Sequence, residues 1–281
     1  MRDQTFMTLV RLLPRAALSR AVGAAARAPA PASLHRAAMR RFARAYRLEL
    51  GEAERPLEEY RTFSDFFSRR LKPGARPLEQ GDRVVVSPVD GVVSEAGVIE
   101  GGDCVQAKGL AYPVAQLLGD ADAAQSFADR GNFATLYLSP RDYHRVHAPL
   151  GGAIIGWRYL PGELWPVNPA SVRTVRGLFA LNERLVTWLE TPAGRCAVVM
   201  VGATCVGRLR AAYGEVLGQS GSPPASGTFR PPVPVAKGDE LGRFEMGSTV
   251  VLLFAAARVS WDLGLRPGAR VTMGRRIGEA R

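Results

Sequence analysis

The chain has 281 residues, of which 47% are hydrophobic and 22% charged, and its formal net charge at pH 7 is +11. This length allows one large domain or two small ones, and the composition is that of a globular protein, not of an intrinsically disordered one. The sequence has no Gly-rich phosphate loop, zinc-finger spacing or aromatic RNA-binding motif, so its positive charge favours an anionic lipid surface over nucleic acid as a partner.

Most of the excess positive charge lies in the N-terminal segment, where residues 1–48 contain ten arginines and one acidic residue, Asp3. Residues 1–28 and 33–48 are predicted to be helical, and the prolines of the intervening APAPAS end any continuing helix. No run of 18 apolar residues is free of charge, which argues against a transmembrane helix, and the arginines interrupt the apolar stretch of a signal peptide. The pattern favours helices lying in a membrane surface; a solvated arginine-rich face and an organellar transit peptide are the alternatives.

A third helix is predicted within YRTFSDFFSRRL, residues 60–71, because apolar side chains recur there at helical spacing after a cap at Thr62 or Ser64. From residue 84 onward, short β-branched runs separated by Gly and Pro predict a mostly antiparallel β region. We therefore predict an α+β fold, with a helical, membrane-associating region at residues 1–75 and a β-rich domain at residues 76–281.

Two segments of the β region resemble each other. SPVDGVV, residues 87–93, aligns with APLGGAI, residues 148–154, through a shared proline, a glycine three residues later and a following strand. This short repeat favours a β-sandwich or barrel-like hybrid core built from two related halves. ALNERLVTWLE, residues 180–190, is predicted as a strand or hairpin, and residues 218–238, rich in Gly, Ser and Pro, are predicted to form a loop.

The three cysteines, Cys104, Cys196 and Cys205, form no CxxC pair. Their odd number indicates a reducing compartment, and small buried side chains are the simplest role for them.

Two of the three histidines, His144 and His147, lie close together in SPRDYHRVHAP. A metal site is disfavoured because an HxxH pair on a strand points to opposite faces, and no further ligands lie nearby in the sequence. Asp90, in PVDGVV, is at a position where an Asp ordinarily stabilises a turn. Together with a serine, however, an Asp and a His are the components that activate a nucleophile, whatever their order in the chain. Structural histidines and a turn-forming Asp90 remain the alternative.

Ser248 is the candidate nucleophile, and it stands in RFEMGSTVVLLF, residues 243–254, where Gly247-Ser248-Thr249 interrupts an apolar, β-prone run. No G-x-S-x-G elbow surrounds it. The preceding Gly247 has no side chain to shield its carbonyl carbon, so the natural target of the Ser248 hydroxyl is its own peptide bond to Gly247.

Eight ordered blocks resemble phosphatidylserine decarboxylase of the bacterial type: YRTFSDFFSRRLKPGARPL, SPVDGVV, QAKG, YLSPRDYHRVHAPLGG, YLPGELWPVNP, LFALNERLV, VGATCVG and GRFEMGSTVVLLF. The resemblance runs from about residue 46 to about residue 255. Met246 departs from the family's usual Leu before Gly-Ser-Thr, a change that conserves bulk and apolarity.

The resemblance implies that Asp90, His147 and Ser248 form a self-processing triad that cleaves the Gly247–Ser248 bond. It further implies that Ser248 becomes a covalent pyruvoyl group, the cofactor for decarboxylation of phosphatidylserine to phosphatidylethanolamine, and that the proenzyme yields a β chain, 1–247, and an α chain, 248–281. No metal is expected. Pyridoxal phosphate is disfavoured because none of the three lysines lies in a recognisable cofactor motif.

Further expectations concern the substrate and the membrane. His144 is a candidate proton donor or contact for the substrate carboxylate, with a structural role as the alternative. The apolar segments 159–161 and 164–166 either reach the membrane interface or pack as ordinary loops. The chain is expected to be a peripheral protein on the cytoplasmic face of the cell membrane, and the resemblance suggests a homodimer. Two other functions remain open: a serine hydrolase acting on an external ester, and a non-enzymatic β-sandwich binding module.

Overall fold

A computed structural model describes residues 7, 8, 10, 14–29, 31–107, 109–204, 208–214, 216–219, 221–245 and 248–281. Its helices are α1 (Arg15–Arg27), α2 (Ala32–Tyr46), α3 (Phe63–Phe67), α4 (Val114–Leu118), α5 (Ala121–Ala128), α6 (Pro169–Thr174) and α7 (Leu178–Leu181). Its strands are β1 (Val84–Val86), β2 (Gly91–Val98), β3 (Asp103–Ala107), β4 (Leu110–Pro113), β5 (Asn132–Leu138), β6 (Arg145–His147), β7 (Gly152–Leu160), β8 (Arg184–Thr191), β9 (Gly194–Val201), β10 (Leu209–Ala211), β11 (Leu217–Gly218), β12 (Ala225–Val235), β13 (Glu240–Phe244), β14 (Ser248–Phe254), β15 (Val259–Trp261), β16 (Arg270–Val271) and β17 (Arg276–Ala280).

The predicted helices are present in shortened form. Helix α1 ends just before the predicted break, and the start of the predicted 1–28 helix lies largely outside the described residues. Helix α3 begins at the predicted cap, where Oγ1 of Thr62 accepts the backbone N–H of Asp65 at 3.0 Å. Helix α2 buries Met39 and Ala43, four residues apart, in a cluster with Phe66. This cluster attaches the helical region to the segment that leads into the β region.

The main sheet has eight strands in the order β12-β7-β8-β9-β14-β5-β2-β16, and every recorded pairing in it is antiparallel. This is the large sheet. Because β12 and β16 are its two edges, it is open, and the barrel-like closure predicted from the sequence is wrong for the described strands. The α+β class and the mostly antiparallel pairing are confirmed. The two similar segments lead into β2 and β7 of this one sheet, and the relation between two halves stays a prediction.

A second sheet of four strands, in the order β11-β10-β13-β6, is the small sheet. It packs on one face of the large sheet, since a Cβ atom at Gly242 in β13 would lie 3.0 Å from Sδ of Met200 in β9. On that face Leu136, Val250 and Leu185 are completely buried. The strands that carry the candidate residues therefore pack against an apolar interior between the two sheets.

Strand β12 corrects one prediction. The Gly/Ser/Pro-rich segment expected to be a loop contains an 11-residue strand, which pairs with β7 alone at the edge of the large sheet. Prolines are tolerated at such an edge because one side of the strand needs no backbone donors, and the register shifts between Thr228 and Val233, around Pro231 and Pro232.

Helix α1 docks on the β region through its arginines. Arg15 pairs with Glu163 at 2.7 Å and lies 3.7 Å above the ring of Trp165, while Arg27 pairs with Glu245 at 3.2 Å. Part of the N-terminal positive charge is thus neutralised within the protein. Tyr159 and Leu164 are buried, so ordinary packing, not exposure to a membrane, is confirmed for these two side chains.

Candidate active site

Three chain segments cross side by side from one sheet to the other. They connect β5 to β6, β9 to β10, and β13 to β14. Strands β9, β14 and β5 are neighbours in the large sheet, and β10, β13 and β6 are neighbours in the small one, so the β13–β14 crossover lies between the other two. Strand β13 ends at Phe244 and Ser248 is the first residue of β14, so the chain passes from the small sheet to the large sheet between these two residues.

This topology corrects the interpretation of residues 243–254 as one interrupted strand. The run is two strands in two different sheets, and the interruption falls where the chain passes between them. The backbone of Ser248 pairs with Leu138 at the end of β5. Met246, Gly247 and the side chain of Ser248 lie outside the described residues. The bond predicted to be cut therefore lies at the start of a strand, not in its interior.

His147, the last residue of β6, is buried and its ring is held on both sides. Its Nδ1 atom lies 2.8 Å from the carbonyl oxygen of Gly238, and its Nε2 atom lies 3.2 Å from the hydroxyl of Tyr143. Because a carbonyl only accepts, Nδ1 carries the proton, and Nε2 is the basic nitrogen. Burial lowers the pKa of His147. The imidazole is therefore neutral near pH 7 and has the tautomer that a general base needs.

Asp90 ends the turn before β2 and is buried against Arg76. Nε of Arg76 lies 3.0 Å from each carboxylate oxygen, and the backbone N–H of Met273 donates to Oδ1 at 2.8 Å. In the same turn, the carbonyl of Pro88 accepts the backbone N–H of His147 at 2.9 Å. Thus Gly238, not Asp90, bonds the imidazole in this uncut chain, and the turn connects Asp90 to the backbone of His147.

His144 lies next to the central crossover, since its carbonyl accepts the backbone N–H of Phe244 at 3.0 Å. Its ring is completely buried, 4.2 Å from that of Phe67, and Nδ1 lies 2.8 Å from the carbonyl oxygen of Asp142. Burial lowers the pKa of His144 to about 3. Its Nε2 atom has no hydrogen-bond partner within the described part of the chain. His144 is therefore a neutral acceptor with one unused nitrogen.

Arg69 is a buried neighbour that sequence reasoning missed. Its charge contributes to the lowered pKa of His144, and its own Nε and Nη1 have no partner among the described residues. Burial lowers the pKa of Arg69. These two unused donors are suited to an anionic substrate group. The signal in the sequence was the SRRL motif, which was assigned only to a helix.

Glu183 is a second residue that was missed, although it stands in the LFALNERLV block. Its backbone carbonyl accepts the N–H of Gly202 at 2.8 Å. Val201, the residue before Gly202, pairs with Thr249 and so joins β9 to β14. The side chain is fully buried, and a Cβ atom at Gly202 would lie 2.9 Å from Cγ of Glu183. The hydroxyl of Tyr159 lies 3.3 Å from Oε2, and burial raises the pKa of Glu183 to about 7. A carboxyl group that titrates near neutral pH thus lies two strands from Ser248.

The helices and the cysteines were also the subject of predictions. None of the described helices combines the length and hydropathy that a membrane crossing requires. Cys104 and Cys196 are buried and unpaired, as expected for small core side chains, and Cys205 lies outside the described residues.

Comparison with known proteins gives a consistent result. The family model for phosphatidylserine decarboxylase matches residues 63–279. The chain is 58% identical over 278 residues to the phosphatidylserine decarboxylase proenzyme of Myxococcus xanthus, covering 99% of both chains. It is 58% identical to the proenzyme of an Anaeromyxobacter species, covering 100% of both, and 43% identical to that of Azotobacter vinelandii, covering 100% of this chain and 99% of the relative.

Proposed function

This chain belongs to the phosphatidylserine decarboxylase family of carboxy-lyases, and from that premise we propose that it decarboxylates phosphatidylserine to phosphatidylethanolamine. The cofactor is a pyruvoyl group made from Ser248 by cleavage of the Gly247–Ser248 bond. The observation that carries the proposal is the position of a neutral His147, with Nε2 as its base, on the strand next to β13, which leads into the bond to be cut.

His147 starts the processing reaction by taking the hydroxyl proton of Ser248. The oxygen attacks the carbonyl carbon of Gly247, a C–O bond forms, the C–N bond breaks, and the imidazolium returns its proton to the departing nitrogen. Loss of the α proton of residue 248 and cleavage of the ester C–O bond release Gly247 as a carboxylate. The dehydroalanine left at 248 tautomerises to an imine, and water converts it to the pyruvoyl group with release of ammonia.

The roles of the chain's residues follow from their contacts. Asp90 supports His147 through its turn and its negative charge. The pyruvoyl group supplies a ketone that captures the substrate amine and accepts the electrons released with carbon dioxide. Arg69 suits the substrate carboxylate, because its Nε and Nη1 donors have no partner among the described residues. The unused Nε2 of His144 takes a proton from the substrate ammonium group before the amine condenses with the ketone, and it returns that proton to the α carbon after carbon dioxide leaves.

The two products of processing stay together, because β14 lies between β9 and β5 and its side chains from Val250 to Phe254 are completely buried. We propose residues 76–281 as the catalytic domain and residues 1–75 as the region that meets an anionic membrane. Location on the cytoplasmic face and assembly into a homodimer belong to the same proposal.

Intact mass and a carbon dioxide assay test the function together. Wild-type protein should give chains 1–247 and 248–281, the second with a pyruvoyl group in place of serine, and should release carbon dioxide from phosphatidylserine. Ser248→Ala should remain a single inactive chain. A folded wild type that keeps an intact Ser248 and hydrolyses an external ester would instead establish a serine hydrolase, and one that binds lipid vesicles but is inert towards lipid and ester alike would support a binding module.

A further inference from the structure

Three arginines stand in one row across the small sheet. Arg210 of β10 is directly opposite Arg243 of β13, which is opposite Arg145 of β6. Opposite residues on antiparallel strands have Cβ atoms about 5 Å apart, and like charges in such positions are destabilising. Side chains alternate along a strand, so this row lies on the face opposite to Phe244 and the interior between the sheets.

The acidic residues nearby are too few to neutralise the row. Glu240 pairs with Arg145 at 2.6 Å and with Arg243 at 3.7 Å, while Glu245 pairs with both Arg210 and Arg27. Two carboxylates thus serve four guanidinium groups. Burial lowers the pKa of Arg243, and the neighbouring charge of Arg145 lowers it further.

The row forms one wall of a cavity of about 480 Å³. Six arginines and three carboxylates line it, and Arg70, one of the six, makes no ion pair within the described residues. Arg145 is fixed from the opposite wall, where its Nε donates to the carbonyl of Ser68 at 3.0 Å. The cavity therefore has an excess of positive charge and guanidinium donors that its own carboxylates leave unused.

We propose that this cavity, the arginine pocket, binds the phosphodiester group of the lipid substrate, with Arg70, Arg210 and Arg243 donating to its phosphate oxygens. The planar guanidinium fork matches a phosphate in two-point contacts, and a partly exposed row of like charges is stabilised when an anion binds beside it.

The location favours the substrate as the source of the phosphate. Glu245 lines the pocket and precedes Ser248 by three residues, a span of at most about 11 Å. In a phosphatidylserine headgroup, the amine and the phosphate are separated only by the serine carbons and an ester oxygen. This inference rests on the proposed function, in which residue 248 captures that amine.

The test uses fully cut protein and dihexanoyl phosphatidylserine below its micelle concentration, so that no membrane surface is present. Arg70→Gln and Arg243→Gln should each raise KM about tenfold or more and change kcat less than about twofold, because the lost interaction is equal in the ground and transition states. Arg266→Gln, an exposed arginine outside the pocket, is the matched control and should leave KM unchanged. Arg243→Gln should also unfold at no lower temperature than wild type, because it relieves repulsion in the row.

The possible results distinguish failure of the arginine pocket from failure of the proposed function. An unchanged KM in both variants, beside an active wild type, overturns the arginine pocket and leaves the proposed function intact. A KM effect seen only on phosphatidylglycerol-containing vesicles assigns the pocket to bulk lipid and overturns the substrate assignment. If Arg243→Gln does not fold, Arg70→Gln and the charge-conserving Arg243→Lys decide, and a normal KM in these two overturns the proposal. A wild type that is neither cut nor active refutes the proposed function instead.

Discussion

Arg76 holds Asp90 with three contacts: its Nε lies 3.0 Å from both carboxylate oxygens, and its Nη2 lies 2.6 Å from Oδ2. A carboxylate held in this way is poorly placed to bond an imidazole as well. Asp90 reaches His147 through the turn whose Pro88 carbonyl accepts the histidine's backbone N–H. Asp90 therefore contributes to processing by positioning His147 as well as by its negative charge.

If the turn transmits this support, breaking the ion pair from either side should slow self-cleavage. We expect Asp90→Asn and Arg76→Gln each to reduce the cleavage rate about tenfold or more, because a small displacement of His147 misaligns the proton transfer. The rate is measured by gel electrophoresis of protein made in a cell-free system, with circular dichroism to verify folding and Arg266→Gln as the control. Normal cleavage in Arg76→Gln beside blocked cleavage in Asp90→Asn would show that Asp90 acts by its charge alone.

The buried state of His147 predicts how cleavage responds to pH. Burial lowers its pKa below the ordinary 6.5, and the neutral ring is the form that accepts the proton of Ser248. The cleavage rate should therefore be constant above about pH 6.5 and fall only in more acidic solution, once the imidazole is protonated. A rate that still rises tenfold per pH unit between pH 7 and 8 would contradict this assignment.

His144 and His147 should separate processing from turnover. We expect His147→Ala to remain a single chain, losing cleavage by a factor of about 100 or more, because the base is gone. His144→Ala should be cut but release carbon dioxide at least about 100 times more slowly, since its unused Nε2 is assigned to the substrate. Intact mass and carbon dioxide release measure the two steps independently, and an active, fully cut His144→Ala would return His144 to a structural role.

The sequence was informative wherever local chemistry determines the outcome. The periodicity and the cap at Thr62 predicted α3, and the β-branched runs predicted the strands, because these signals act within a few residues. The change of sheet between Phe244 and Ser248 was not predictable, since an apolar run looks the same whether it forms one strand or two strands in different sheets. The row of Arg145, Arg210 and Arg243 depends on the register between strands distant in the chain, which no local pattern encodes. The hydrogen bond between His147 and the Gly238 carbonyl was also missed, because every residue carries a carbonyl and no sequence pattern marks the one that is used.

Glu183 should make stability depend on pH. Its pKa is raised from 4.5 to about 7 in the folded chain, so the folded state binds more protons than the unfolded state between these values. The free energy of unfolding should therefore fall by up to about 3 kcal/mol as pH rises through this window. Urea unfolding of the uncut Ser248→Ala protein at pH 5 and pH 8 measures the change. Adding Glu183→Gln should remove most of it, whereas adding Glu190→Gln at an exposed position should not, and equal pH dependence in both variants would refute this account.

The exposed arginines of α2 should attach the protein to anionic membranes electrostatically. Arg41 and Arg44 are exposed, as are the apolar side chains of Leu34 and Tyr46, whereas Arg40 already pairs with Glu58. Each arginine near an anionic surface contributes about 1 kcal/mol, so replacing Arg41 and Arg44 together with Gln should weaken binding about tenfold or more. Sedimentation with phosphatidylglycerol vesicles measures this without consuming the lipid, and binding should weaken as salt rises.

The double variant Arg258→Gln/Arg266→Gln removes the same charge from exposed positions outside the helix and should bind like wild type. Equal loss in both double variants would show that net charge, not the α2 surface, determines attachment, and undiminished binding to neutral vesicles at high salt would exclude an electrostatic contribution.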